Sequence, residues 1–83
     1  MSTINNQKIL LVMTTITDID KGKSLARQIV EEQLAACCNI VPGITSIYCW
    51  KGELCDDQEC LLVMKTTETR YTQLSKFIIQ QHP

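Results

Sequence analysis

The sequence predicts an α/β sandwich of the split β-α-β type, and three observations carry that reading. Two runs are apolar at every position, I-L-L-V-M at 9–13 and C-L-L-V-M at 60–64, with the length and continuity of buried strands. Two other segments place apolar residues three and four apart, the spacing of helices that cover one side of a sheet. Between the first helix and the second apolar run lies a long strand-like stretch, broken at Pro42-Gly43 and again at Lys51-Gly52, which reads as a hairpin. The order β-α-β-β-α is one strand short of the complete split unit.

The elements follow in sequence. Residues 8–14 (K-I-L-L-V-M-T) form the first strand. Thr17 is the expected N-cap of the first helix, with Asp20 three residues on and Asp18 suited to the positive helix start. Leu25, Ala26, Ile29, Val30 and Leu34 make the inward stripe, and Cys37 is the expected helix end. Gly22 inside this helix costs about 1 kcal/mol relative to Ala, so a close approach to the sheet is its expected use. Residues 39–41 and 44–50 read as strand around a Pro42-Gly43 bulge. With Lys51-Gly52 as a two-residue turn, Trp50 faces Glu53, Tyr48 faces Cys55 and Ile40 faces Val63. Asp56, Asp57, Gln58 and Glu59 make the early return strand polar, so that end is expected to project beyond the core. The second helix starts near Glu68, capped by Thr66 or Thr67, with Tyr71, Leu74, Phe77 and Ile78 facing inward.

In a split β-α-β sheet the first and third strands are neighbours, and here they are the two wholly apolar runs. Two helices cover only one side of such a sheet, so something else must cover the other. In a chain of 83 residues the expected cover is another copy of the chain.

Composition narrows the partners. Eight basic and nine acidic residues are scattered to a net charge of −1, without the basic stripe that nucleic-acid backbones require. Apolar stretches reach about five residues, far below the ~20 of a membrane span. Residues 1–7 are polar and without the marks of a signal peptide, so a flexible N-terminus and a cytoplasmic location are expected. The five cysteines are odd in number, which suits reduced thiols better than a disulfide framework.

The run from 34 to 52 (L-A-A-C-C-N-I-V-P-G-I-T-S-I-Y-C-W-K-G) resembles the signature of the CutA family, the divalent-cation tolerance proteins. Thr14-Thr15, the L-V-M-K-T at 62–66 and His82-Pro83 add to the resemblance. It implies a ferredoxin-like fold over 8–83, a homotrimer whose long hairpins pair across subunits, and an architecture similar to the PII signalling proteins. Members of that family continue past His-Pro with a further strand and a short helix, so a C-terminally incomplete domain is expected.

No catalytic residue is expected. The one histidine, His82, has no Cys or Ser near it in sequence, and the three glycines form no phosphate loop. An acylphosphatase-like hydrolase would need an arginine in the loop after the first strand; residues 14–18 (T-T-I-T-D) contain none, and Asn39 alone is not a site. Soft ligands suit copper(I) and zinc, yet the cysteines contain no C-x2-C pair. Cys37 is expected to be a small buried hydrophobe, and Cys38, its neighbour, faces the other way. Cys55, near the hairpin tip, is the expected exposed and reactive thiol. The resemblance implies copper ligation, in some bacterial members, by a cysteine closing the first strand and a histidine pair before the proline. Those positions hold Thr14, with Met13 beside it, and Gln81-His82. His82 and Met13 are therefore the candidate metal ligands, for copper or another divalent ion. Tyr48 and Trp50 are expected at a trimer interface or as the aromatic wall of an intersubunit ligand cleft, with Glu59 and Lys65 lining it.

Overall fold

The structure is a computed structural model that describes residues 8–81. Five elements follow in order: β1 (Ile9–Ile16), α1 (Ile19–Glu31), β2 (Cys37–Trp50), β3 (Glu53–Thr67) and α2 (Glu68–Gln81). The strands make an antiparallel sheet in the order β1-β3-β2. The two apolar runs are neighbours, as expected, with Val12 opposite Met64 and Met13 opposite Val63.

Both helices pack on one side. Alternate residues of β3 point into that layer: Cys60, Leu62 and Met64 are buried, while Leu61, Val63 and Lys65 are only half-covered. Ile16, Leu25, Ala26, Ile29, Ala35 and Leu74 complete the buried core among the described residues. Gly22 sits where a Cβ would meet Ile16 Cγ2 at 3.0 Å and Leu62 Cδ1 at 3.5 Å, so α1 lies close on the sheet and any side chain there presses on Ile16.

Several local expectations change. The N-cap is Asp18, not Thr17: its Oδ1 accepts from the amides of Asp20 at 2.8 Å and Lys21 at 3.2 Å. α1 ends at Glu31, well before Cys37. Gln33 takes a left-handed backbone (φ 58°), and the amides of Gln33 and Leu34 return to the carbonyls of Val30 and Ile29, each at 3.0 Å. This is a Schellman closure built without glycine, which is why the sequence does not announce it. Leu34 and Ala35 still reach the core, but from a loop. Val30 and Tyr71 are exposed, at 40% and 44%, because each stands at the rim of its helix's apolar stripe. The second helix is capped by Thr67, whose Oγ1 accepts from the Arg70 amide at 3.3 Å.

The hairpin turn is as expected, with Lys51 (φ 51°) and Gly52 (φ 80°) both left-handed, the signature of a type I′ turn. Trp50 pairs Glu53 and Tyr48 pairs Cys55. Beyond the bulge the register slips: Ile40 faces Leu62, not Val63, because two residues of β2 (Pro42 and Gly43, φ 71°) oppose the single residue Cys60. The slip matters, because a one-residue shift exchanges the faces. It turns Ile40 and Cys38 inward, where both pack against the core.

Candidate functional site

β3 runs unbulged from Glu53 to Thr67, so its odd-numbered residues share one face along the whole strand. That face is the one no helix covers. Over the base of the sheet it is apolar: Ile9, Leu11 and Met13 of β1 are 56%, 60% and 62% exposed, beside Leu61 and Val63 of β3 and Val41 of β2. Beyond the bulge, residues 44–59 form a two-stranded arm that neither β1 nor a helix accompanies. The molecule is accordingly elongated, 46 × 24 × 21 Å.

The arm continues the open face with different chemistry. Tyr48, Trp50, Glu53, Cys55, Asp57 and Glu59 all lie on it. The Tyr48 hydroxyl donates to Asp57 Oδ2 across the strands. This hydrogen bond to the carboxylate, with lesser help from burial and from nearby negative groups, pushes the phenol up to about 12, since ionising it would set two anions in contact. Trp50 is 62% exposed at the tip, with the Lys51 ammonium 5.6 Å from its ring centroid.

The predicted cleft residues are thus on one face but not at one point. Tyr48, Trp50 and Glu59 belong to the arm. Lys65 lies six residues beyond Glu59, roughly 20 Å along the strand, where it faces Cys37 and Leu11. Asp57 is the residue that sequence reasoning undervalued; the I′ turn already sets Ser46 against it and Tyr48 diagonally beside it.

The five cysteines are unpaired. Cys37, expected buried, is half-buried on the open face, and Cys38 faces the helices, where burial foremost, and then Cys37, raises its thiol pKa. Cys55, expected exposed, is half-buried with its Sγ 3.8 Å from the Glu53 carbonyl; the exposed thiol of the arm is Cys49. Met13 stands on the open face, and His82 lies outside the described residues. Among the described residues, no three His, Cys, Asp or Glu side chains are placed to hold a metal ion, so these residues do not fit a multidentate centre within one chain. No helix among them is long and apolar enough to cross a membrane.

The decisive comparison is with protein families: the model of the CutA1 divalent ion tolerance protein matches residues 10–83. The chain belongs to that family. It is 45% identical over 73 residues to the divalent-cation tolerance protein CutA of Thermus thermophilus, covering 88% of this chain and 71% of that one. To the chloroplastic CutA of Arabidopsis thaliana it is 42% identical over 73 residues, 88% of this chain but only 40% of that one. The chain therefore spans less than half of that plant relative. The solved Thermus structure superposes with a TM-score of 0.87 at 43% identity, over 92% of this chain and 74% of that one. A PII-like protein CutA from Nostoc gives 0.81 at 37% identity, over 88% of this chain and 68% of that one. The ferredoxin-like, PII-like architecture expected from the CutA signature is the one observed.

Proposed function

We propose that this chain is a non-enzymatic subunit of a homotrimer that serves tolerance of divalent metal ions, copper among them, and binds such ions weakly. The uncovered apolar face carries the reading: Ile9, Leu11 and Met13 stand more than half exposed on a strand that a lone protomer leaves open to water. The names of the relatives supply the metal. Weak binding follows from the lack of a three-ligand cluster among the described residues, with the Met13 thioether and the His82 imidazole as the soft donors to test. Tyr48 and Trp50 then serve as interface packing. The unpaired cysteines suit the reducing cytoplasm as its location.

A second reading rests on the placement of Lys65. Within one chain it is too far from Tyr48 and Glu59 to share a ligand with them, so a cleft using all three needs two copies. The PII-like Nostoc relative makes that reading worth a test: a small-molecule signalling trimer.

Light scattering after size exclusion should give three times the 9.4 kDa chain mass. Calorimetric titration of the reduced protein with Cu(I), Cu(II) and Zn(II) should show micromolar-range binding that weakens in His82→Ala and in Met13→Leu. A protomer that stays monomeric and folded in dilute solution refutes the trimer. No metal binding, together with a metabolite that raises the melting temperature of the trimer, moves the function to the second reading.

A further inference from the structure

We propose that the groove between α1 and the base of β2 binds a small amphiphilic carboxylate, a molecule with one anionic head and an apolar body. The inference goes beyond the metal-tolerance reading and does not depend on it.

The groove encloses about 560 Å³, a size suited to a small molecule. Its floor is apolar, with Ala26 and Val30 contributed by α1 and Cys38 and Ile40 by β2. Ala26 is buried, Cys38 and Ile40 pack half-buried against the core, and Val30 is 40% exposed. The floor is therefore the flank of the core laid open to water. The Cys38 thiol does not interrupt it: burial foremost, and then Cys37, raises its pKa and keeps the group neutral and weakly polar.

Two cations stand beside this floor. Lys23 and Arg27 are one helical turn apart on the groove side of α1. Both are exposed, and no ion pair engages either among the described residues. A guanidinium holds a carboxylate through two parallel hydrogen bonds, and the ammonium adds a point charge. Glu31 is the one acidic side chain in the lining, about 12 Å along the helix from Lys23 at 1.5 Å per residue, and repels a second anionic group at that end. One negative head at Lys23 and Arg27, with an apolar body over Val30, Cys38 and Ile40, satisfies both halves of the groove. A head without a body gains only exposed ion pairs, which are worth little.

The test uses the reduced, assembled protein and three probes below their micelle concentrations: decanoate, decyltrimethylammonium and acetate. Amide shifts in two-dimensional NMR locate the binding. Decanoate should move the amides of Ala26, Val30, Cys38 and Ile40. It should leave Leu11 and Met13 on the open face in place, and the other two probes should move neither set. Lys23→Ala with Arg27→Ala should weaken decanoate binding about tenfold or more, whereas Glu31→Gln should not weaken it. Shifts confined to the open face, equal binding of the cationic probe, or an affinity unmoved by loss of both cations would each overturn the proposal. So would groove amides that stay silent because a second copy covers them.

Discussion

The base of the molecule and its hairpin arm are built from the same two strands, yet they differ in what each strand face meets. In the base, β3 is flanked by β1 and β2 and roofed by two helices, and its inward residues are buried without exception from Cys60 to Thr66. In the arm the same strand has one neighbour and no roof, and Leu54 is four-fifths exposed. Packing therefore explains the base, and only pairing and a turn hold the arm. An isolated two-stranded ribbon is marginal in water, so an arm this long needs a partner to be kept in one conformation. The difference separates two kinds of support: layered packing in the base, strand pairing and a turn in the arm.

The sharpest way to break that division is to truncate one large apolar side chain in each region. Leu62→Ala removes a wholly buried side chain in contact with both layers and should cost about 2–5 kcal/mol of unfolding free energy. Leu54→Ala removes one that touches little within its own chain and should change folding of the protomer by no more than about 0.5 kcal/mol. Urea unfolding at a fixed chain concentration checks both, and assembly checks the second, which should loosen. Equal losses from both would mean that the arm is a folding element.

The regions also differ in how legible they were. Strand order, helix side and core were readable because burial imposes period: L-L-V-M at 61–64 admits few alternatives once Leu74 and Ile29 are placed over it. Hairpin register was readable from Lys51-Gly52 outward as far as Ile44, since turn geometry propagates along a ladder. It failed at Ile40, because Pro42-Gly43 showed that a bulge exists without showing that it absorbs one residue. The end of α1 was hidden by an apolar spacing that continues through Leu34 and Ala35 and by a left-handed Gln33 where glycine is the usual sign. The groove holding Lys23 and Arg27 depends on that same corrected register, which turned Cys38 and Ile40 inward. A site assembled by a register shift leaves no motif.

A middle-sized effect tests how closely the base is packed. Gly22→Val forces branched atoms into Ile16, itself 1% exposed, and should cost about 1–3 kcal/mol through overpacking. Gly22→Ala is the informative companion: the gain of about 1 kcal/mol in helix propensity opposes the 3.0 Å contact, so the net change should be small. A clearly stabilised Gly22→Ala would show that α1 can lift from the sheet, and that the base is less tightly closed than its burial suggests.

The smallest effect belongs to the arm and is read by light absorption. Tyr48 donates to Asp57, and that contact raises its pKa to about 12 from an ordinary value of 10.0. Whatever the contact adds to holding the arm strands in register is fully present below about pH 10, the unfolded pKa, and fades as pH climbs through the folded value. Its size is small, because the pair is exposed and water screens it. Alkaline difference absorbance should show a late phenol titration, that of Tyr48, with a midpoint well above 10. In Asp57→Asn the late midpoint should fall toward 10, with no comparable loss of stability at neutral pH. A late midpoint that survives this change would place its cause in burial and in the neighbouring Cys55 and Glu59 rather than in Asp57.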